Sequence, residues 1–311
     1  MIRTMDTLIK LGQGINPGKL GLSVRPDGML DLTGLKFPSP TTVGRIEVQQ
    51  GGTALIREGK PKLSGCTLTS VDLSRASIGE SIWEELDFTR VWMNGVRARD
   101  VIFASGRMKE MSFHNADLRD SHWGKGGSLG PVVQAADFEA ADFRGSTFTH
   151  PLFRNCRFVN ARLKSVDFFG AAFEDCVFQG VLDDVWFHGW DQDRRFVNAM
   201  KNVDFSGAEL IDVGFSDGID LTTCRFPERG YLRIAHPRRA FKRALEIVMT
   251  EWRGSEKETG RKYLQAMLDN HFREEQPLLV IRPEDYTNSP LGRTVGMGIV
   301  RALERAGEIQ G

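Results

Sequence analysis

Residues 136–160 read ADFEA ADFRG STFTH PLFRN CRFVN, and the third residue of every group of five is phenylalanine. The same spacing extends from Pro61 to Phe226: a large apolar residue recurs every five positions, and the residue two places before it is usually small. Ala98 is the one small residue in the two unbroken series. These series are Leu63, Leu68, Leu73, Ile78, Trp83, Phe88, Met93, Ala98, Phe103, Met108, Phe113, Leu118, Trp123 and, after a break, Phe138, Phe143, Phe148, Phe153, Phe158, Leu163, Phe168, Phe173, Phe178.

A five-residue period fits neither of the regular secondary structures. In an α-helix each step of five rotates the side chain by roughly 140°, which leaves no single buried face. In a continuous strand an odd step sends successive members to opposite faces of the sheet. The backbone must therefore turn once in each repeat, so that every large residue points to a common axis. Short periods of this kind are typical of stacked coils, and the sequence predicts a β-solenoid.

Six triplets carry a family resemblance: Val71-Asp72-Leu73, Ala116-Asp117-Leu118, Ala136-Asp137-Phe138, Ala141-Asp142-Phe143, Val166-Asp167-Phe168 and Val203-Asp204-Phe205. Their small-polar-large-x-x pattern resembles the signature of the pentapeptide-repeat family. The resemblance implies a mainly β fold, a right-handed four-sided β-helix with one repeat per side and four repeats per coil. Residues twenty apart would then stack, with Phe138, Phe158 and Phe178 in one column and Phe153 above Phe173, and neighbouring coils would lie about 4.8 Å apart.

All four cysteines occupy one position of the repeat. Cys66, Cys156, Cys176 and Cys224 each precede a large apolar residue by two places, so we expect them in the small inward position as buried thiols. A disulfide between Cys156 and Cys176 is the alternative, because these two would lie one coil apart. The C-x-x-C spacing typical of metal sites does not occur. The sequence therefore predicts no metal site and no cofactor.

Two breaks interrupt the repeats. Gly124–Gly130 separates the two series without changing their phase, which leaves two alternatives: two degenerate repeats in which Val133 refills the inward position, or a loop pushed outward. After Phe178 the phase fails, because Asp183 would be inward and a buried carboxylate needs a partner. We interpret residues 183–203 as an excursion from the coil.

The excursion supplies the candidate binding residues. They are Trp186, His188, Trp190, Arg194 and Arg195, with Phe187 and Phe196 beside them. Aromatic and arginine side chains on a loop held by a rigid scaffold are typical of binding hot spots. The alternative is structural: the loop folds its aromatic residues back over the coil.

Both ends of a solenoid need closing, because an open end exposes unpaired backbone. Residues 1–60, which are rich in turn signals, are predicted to form an N-terminal cap. Residues 227–311 change to helical periodicity, with helices beginning near Pro237, Ser255 and Ser289 and a short apolar strand at 278–281. We expect this C-terminal α-helical region to cap the last coil, and its surplus apolar surface predicts a homodimer.

Net charge is zero for the 311 residues, but residues 62–226 hold 24 acidic and 18 basic side chains. Proteins similar in repeat pattern include quinolone-resistance and gyrase-inhibiting groups, thought to imitate DNA with an acidic rod. A DNA mimic must present a dense negative field. Ten lysines and arginines dilute the field here: Arg90, Arg97, Arg99, Arg107, Lys109, Arg144, Arg154, Arg157, Arg162 and Lys164.

Enzymatic chemistry finds little support in the sequence. None of the six histidines, His114, His122, His150, His188, His236 and His271, lies in a recognisable nucleophile or metal motif, and we predict no catalytic residues. The basic group Arg238, Arg239, Lys242 and Arg243 is more typical of a solvated helix face than of a nucleic-acid contact. The chain lacks an 18-residue apolar run and a signal-peptide pattern, so we expect a cytoplasmic protein without membrane contact.

The sequence thus predicts a non-enzymatic scaffold that binds a macromolecule, most simply a protein, through a solenoid face and the excursion at 183–203. Two alternatives stay open. The first is a DNA-mimic modulator or protector of a type II topoisomerase such as gyrase. The second is a helical C-terminal region with a nucleic-acid-binding or enzymatic role of its own.

Overall fold

A computed structural model describes residues 5–38, 41–48, 52–124, 129–190, 197–272 and 276–309. The chain divides into two compact units, Met1–Arg162 (unit 1) and Leu163–Gly311 (unit 2). The boundary between them falls inside the segment predicted to be solenoid. The division of the chain into 1–60, 61–226 and 227–311 stays a prediction.

Unit 1 consists mainly of short β-strands. Its helices are α1 (Met5–Gly12) and a 3-10 helix at Pro17–Leu20. Its strands are β1 (Leu30–Asp31), β2 (Thr41–Val48), β3 (Gly52–Glu58), β4 (Lys62–Ser64), β5 (Thr67–Asp72), β6 (Ile82–Glu84), β7 (Leu86–Trp92), β8 (Ile102–Phe103), β9 (Gly106–Lys109), β10 (His122–Trp123), β11 (Val132–Gln134), β12 (Thr147–Phe148), β13 (Leu152–Arg154) and β14 (Arg157–Val159).

Parallel pairing stacks these strands into coils. One sheet runs in the order β1-β5-β7-β9-β11-β13, and another in the order β12-β10-β8-β6-β4. Leu63 pairs with Trp83, and Trp83 pairs with Phe103, so the partners along one side are the residues predicted to be one coil apart. Hydrogen bonds between successive coils therefore hold unit 1 together, which confirms a mainly β solenoid.

The large residue of each repeat lies inside the coils, as predicted. Every member of the two series is buried, and the most exposed, Phe148, retains only 4% of its accessible surface. The rings of Phe138 and Phe158 stack with centroids 4.9 Å apart and planes at 15°. Burial of one such side chain contributes about 1.5–3 kcal/mol. All four cysteines are free thiols: Cys66, Cys156 and Cys176 are buried and Cys224 is partly buried.

A left-handed backbone residue turns the chain in almost every repeat. It lies two places after the large residue and is usually not glycine, as at Arg75 (φ 59°), Asn115 (φ 55°) and Asn155 (φ 51°). In this region the Cβ of an L-residue crowds the following carbonyl, and asparagine tolerates it better than branched residues do. In a straight strand, residues five apart would point to opposite faces. The turn in each repeat changes the direction of the backbone, so that all the large residues can point inward.

The coil that contains the Gly124–Gly130 break is longer than its neighbours. His122 pairs with Thr147 and Met108 pairs with Val133, an offset five residues greater than in the preceding coils. Val133 is fully buried and refills the inward position, as the first alternative proposes. The second alternative, a loop pushed outward, concerns residues 125–128, which lie outside the described residues. The burial of Val133 agrees with the first alternative, and the second stays a prediction.

The first coil begins before Pro61, which is earlier than the repeat pattern indicates. Leu30 pairs with Val71, and the ring of Phe37 stacks on Trp83 with centroids 5.4 Å apart. The antiparallel pair β2–β3 then separates this coil from the next one. The insertion hides the coil in the sequence, because it interrupts the five-residue spacing after Phe37.

Unit 2 combines coils with a mixed C-terminal part. Its strands are β15 (Asp167–Phe168), β16 (Ala172–Glu174), β17 (Val177–Asp183), β18 (Trp186–His188), β19 (Asp204–Ile211), β20 (Gly214–Ser216), β21 (Leu232–Ala235), β22 (Leu278–Ile281) and β23 (Glu308–Ile309). Its helices are α2 (Pro237–Glu251), α3 (Gly254–Asn270), α4 (Pro283–Asn288) and α5 (Arg293–Ala306). No helix in the described ranges is long and apolar enough to cross a membrane.

The interpretation of residues 183–203 as one excursion needs correction. After Phe178 the coil takes a four-residue step, which buries Leu182 and leaves Asp183 partly exposed. The next inward residue is Phe187, on strand β18, and its ring stacks between those of Phe168 and Phe215, at 5.2 Å and 5.5 Å. Trp186–His188 is thus part of the coil. The four-residue step places Leu182 instead of Asp183 inside, and the next inward residue, Phe187, follows five places later.

Antiparallel strands β22, β21 and β23 form a separate sheet in unit 2, in the part of the chain that also contains helices α2 to α5. The apolar segment 278–281 is a strand, as predicted. The last long helix begins at Arg293 instead of Ser289, because α4 already occupies Pro283–Asn288 and the chain turns between the two helices. Phe241 of α2 packs against Phe272, with ring centroids 4.7 Å apart.

The left-handed backbone conformation of the turns should disfavour β-branched side chains, and substitution can test this. Asn115→Val places a β-branched side chain at φ 55° and is expected to lower the free energy of unfolding by about 1–2 kcal/mol. Lys109→Val, at an exposed strand position of the same unit, introduces the same side chain and should change it by less than about 0.5 kcal/mol. Urea denaturation followed by circular dichroism measures both. Equal effects of the two substitutions would contradict the role of the turn.

Candidate functional site

Strand β18 carries polar and aromatic side chains on the outside of the unit 2 coils. Trp186 and His188 flank the buried Phe187. Because side chains alternate across a strand, Trp186 and His188 point outward on the same side. Trp190 follows two residues later, and all three are partly exposed. We call Trp186, His188 and Trp190 the aromatic face.

Glycines of the following coil fix the two indoles. A Cβ atom on Gly214 would lie 2.2 Å from Cε3 of Trp186, and one on Gly218 would lie 2.1 Å from Cη2 of Trp190. Any other residue at these positions would displace the tryptophan above it. Gly218 also has φ +70°, which disfavours side chains independently. The indoles thus lie flat on backbone and have little freedom to rotate.

Two carboxylates and a hydroxyl surround the imidazole of His188. Its Nδ1 lies 2.7 Å from Oδ2 of Asp217 and 3.0 Å from Oγ of Ser216. Its Nε2 forms an ion pair with Oδ1 of Asp167 at 3.0 Å, without the alignment of a hydrogen bond. Burial lowers the pKa of His188, but the contacts with Asp167 and Asp217 outweigh it and raise that pKa to about 9.

A cavity of about 340 Å³ opens beside Trp186. Its walls come from distant parts of unit 2: Trp186 from β18, Asp212 from the turn after β19, Tyr263 from α3, His271 from the end of α3, and Tyr286 from α4. The rings of Trp186 and His271 stack at 4.8 Å, and those of Tyr263 and Tyr286 meet edge to face at 5.8 Å. The cavity therefore has two aromatic pairs in its walls.

Carboxylates predominate among the charged groups of this cavity. Asp285 accepts a hydrogen bond from the backbone N–H of Asp212 at 3.0 Å and forms an ion pair with Arg282 at 3.3 Å. Burial, reinforced by the charge of Asp212, raises the pKa of Asp285 above its usual range. Burial also lowers the pKa of His271, so its ring favours the neutral form. The cavity is thus aromatic and acidic.

Three of the five predicted binding residues belong to this region, and the structure brings them onto one side of the coil. Trp186 also lines the cavity, whereas His188 and Trp190 lie beside it. Arg194 and Arg195 fall outside the described residues. The tryptophans rest on the coil, as in the structural alternative, and they still keep part of their surface open.

The cavity residues Tyr263, His271, Asp285 and Tyr286 escaped the sequence analysis. Of these four residues only His271 is named there, as a histidine without a motif. None of these positions carries a spacing that indicates a site, because the partner groups come from strands and turns far away in the chain. The one available signal was the presence of two tyrosines and a histidine close to the apolar positions of α3 and α4.

Unit 1 shows a different surface, on which carboxylates alternate with arginines. Asp87 pairs with Arg107 at 3.2 Å in the next coil, and Asp142 pairs with Arg144 at 2.7 Å. Asp137 pairs with Arg157 at 3.1 Å and also lies close to His114. Single ligand atoms of His114, Asp137 and Glu139 fall within 4.8 Å of one another. Because Arg157 already compensates Asp137, this group belongs to the ion-pair pattern.

Comparison with solved structures finds matches to part of the chain. A trypsin-treated variant of QnrB1, described as a plasmid-mediated fluoroquinolone resistance protein, is 18% identical, with 50% of this chain and 81% of that chain covered and a TM-score of 0.23. Rfr23, a pentapeptide repeat protein from the cyanobacterium Cyanothece 51142, is 10% identical, with coverages of 63% and 87% and a TM-score of 0.20. No curated protein matches the chain.

The family described as pentapeptide repeats matches residues 141–180 with eight copies of its repeat. The matched segment contains Phe143, Phe148 and Phe153 of unit 1 and Phe168, Phe173 and Phe178 of unit 2, all of which are buried. The same small-polar-large pattern recurs on both sides of the matched segment. Residues 141–180 of the chain therefore consist of pentapeptide repeats.

Proposed function

We propose that this protein is a non-enzymatic scaffold that binds another macromolecule, most simply a protein, through the aromatic face. The single observation that carries the proposal is the seating of Trp186 and Trp190 on Gly214 and Gly218. Indoles fixed in this way, with part of their surface open, lose little conformational entropy when a partner covers them. Tryptophan is also among the residues that contribute most to protein interfaces.

The polar surroundings of the aromatic face support recognition of a partner. His188 is held by Asp167 and Asp217, so a partner meets a charged group in a fixed orientation. Asp167 keeps most of its side chain open, at 60% exposure. A preorganised charge of this kind contributes to specificity more than to affinity.

The protonation state of His188 argues against a catalytic role for the aromatic face. A general base must be neutral at working pH, and a pKa of about 9 keeps this imidazole protonated near pH 7. The adjacent hydroxyl of Ser216 is fully buried, so no substrate reaches it. The Ser216–His188 contact therefore has a structural role in this proposal.

The finer architecture and the location are part of the same proposal. A four-sided coil is supported by the offset of 20 residues between paired strands, which corresponds to four repeats of five. Its right-handedness rests on the family resemblance alone. A cytoplasmic location is supported by four free cysteines, because secreted proteins usually pair theirs. A homodimer through the C-terminal helices, and a separate nucleic-acid-binding or enzymatic role of that region, stay predictions.

A second candidate function is modulation or protection of a type II topoisomerase such as gyrase by DNA mimicry. The excess of 24 acidic over 18 basic side chains in residues 62–226 favours it. The arginines that pair with Asp87, Asp137 and Asp142 in unit 1 weigh against it, because paired charges produce a weak field at a distance. The first proposal therefore fits the surface better.

The aromatic face can be tested by substitution. Trp186→Ala with Trp190→Ala should weaken capture of the partner by about tenfold or more, since buried tryptophans dominate interface energies. The partner is defined as a protein from the native host whose capture by the immobilised chain is competed by free chain. Val181→Ala removes an exposed apolar side chain elsewhere on the coil and should leave capture unchanged. Equal capture by all three proteins, with unchanged circular dichroism, would place the interface elsewhere.

The charge of His188 predicts a pH dependence of stability. Its folded pKa of about 9 exceeds the unfolded value of about 6.5, so its stabilising contribution is complete below pH 6.5 and disappears as the pH rises to 9. We expect wild type to lose about 1–3 kcal/mol more than His188→Asn over this interval. Urea unfolding at several pH values measures the difference. Parallel pH profiles of the two proteins would show that His188 is neutral when folded.

A supercoiling assay separates the two candidate functions. If the aromatic face is the functional surface, saturating protein should neither inhibit purified gyrase nor protect it from a quinolone. The expectation follows from the paired charges of unit 1, which cannot compete with the phosphates of DNA. Inhibition or protection that survives Trp186→Ala with Trp190→Ala would favour the second candidate.

A further inference from the structure

We propose that the cavity beside Trp186 binds the head of an organic cation, an alkylammonium or guanidinium group. The inference deepens the proposed function, on which it rests, by naming the chemical group that this site takes from a partner. A lysine or arginine side chain and a free small amine share this chemistry. The argument depends on the shape, the walls and the charges of the cavity.

The walls offer aromatic surface from two directions. Trp186 and His271 form one stacked pair, and Tyr263 and Tyr286 form an edge-to-face pair. The face of an indole or phenol ring is electron-rich and attracts a cation within about 6 Å of its centre. At about 340 Å³, the cavity has the size of a small ligand site.

The charges of the cavity leave a negative excess. Asp184, Asp212 and Asp285 line it, and Arg282 is the one lysine or arginine among its described lining residues. Arg282 is shared with carboxylates outside the cavity, because it also contacts Glu209 at 3.2 Å and Glu284 at 2.7 Å. Its charge therefore cannot neutralise the three aspartates. A cation that enters the cavity therefore meets a net negative charge.

The raised pKa of Asp285 also supports binding of a cation in the cavity. Burial and the neighbouring Asp212 disfavour its ionised form, which is why its pKa is raised. Arg282 offsets only part of that penalty, because the pKa stays raised, and a second cation beside Asp285 would favour the ionised form further. An anion would add to the repulsion, and a neutral ligand would leave the carboxylates without compensation.

The walls also distinguish an organic cation from a metal ion. Hard metal ions require several oxygen ligands at short distances. One oxygen of Asp285 already accepts the N–H of Asp212, and the other pairs with Arg282. The remaining walls are mostly apolar, and aliphatic side chains such as Met267, Leu279 and Ile281 lie among the aromatic rings. Such walls suit an alkyl chain. The cavity thus fits a cation that carries its own apolar stem.

Titration calorimetry on the full chain tests the inference with three probes of similar size: n-butylammonium, n-butylguanidinium and neutral n-butanol. We expect both cations to bind saturably and n-butanol to bind weaker by about tenfold or more. Asp285→Asn should weaken the cations by about tenfold, whereas Glu304→Gln, an exposed carboxylate outside the cavity, should not change them. Equal binding of butanol and the cations, no binding of either cation to wild type, or equal effects of the two substitutions would overturn it.

A second variant covers the case in which Asp285→Asn unfolds the C-terminal part. Trp186→Phe retains an aromatic ring and should keep cation binding within about threefold, whereas Trp186→Leu should lose about tenfold. Equal affinity of the two variants would remove the aromatic contribution and overturn the inference. A capped glycine-lysine-glycine peptide separates the sources: tighter binding than n-butylammonium supports a protein side chain, and equal binding supports a free amine.

The cavity and the aromatic face can fail independently. Trp190 does not line the cavity, so Trp190→Ala should reduce partner capture and leave butylammonium affinity unchanged. Partner capture without any cation binding overturns the cavity inference alone. Cation binding without any competed partner supports the cavity and overturns the scaffold proposal.

Discussion

One constraint governs the coils of this protein: the backbone must turn within each five-residue repeat so that the large residue always faces inward. A residue in the left-handed region, such as Arg75 or Asn115, makes that turn. The strain of these residues is offset by burial of the large side chains and by hydrogen bonds between successive coils. Neither contribution is available to one repeat alone, because each coil obtains its partners from the coils next to it.

The same constraint explains how the coils tolerate irregular lengths. In unit 1 the ring of Phe138 stacks on Phe158 at 4.9 Å and on Phe113 at 5.0 Å, although the second pair spans five more residues of chain. In unit 2 a four-residue step replaces the usual five and places Leu182 inside. Extra or missing residues are confined to the connections, because an interrupted inward column would leave a cavity in the core.

The proposed binding surface lies at outward positions of the repeat, which the core does not use. The outward positions of β18 carry Trp186 and His188, and glycines of the following coil make room for the tryptophans. Helices α3 and α4 then enclose a cavity beside the coil. Unit 1, in contrast, uses its outward positions for ion pairs between coils. Each unit buries the large residues of its own repeats, and its outward residues give it a distinct surface.

The sequence alone determined which residues face the inside of the coils. Large apolar residues at every fifth position can share one buried side only if the backbone turns in each repeat. It also predicted Trp186, His188 and Trp190 as a group, because they stand out from the repeat. Only the tertiary structure decided three further features. They are the inward position of Leu182, the pairing of His188 with Asp167 and Asp217, and the enclosure of the cavity by Tyr263 and Tyr286. In a repeat, residues that pair in successive coils are a regular distance apart in the sequence, so the pairing can be predicted. The docking of helices depends on side-chain packing, which no residue spacing reveals.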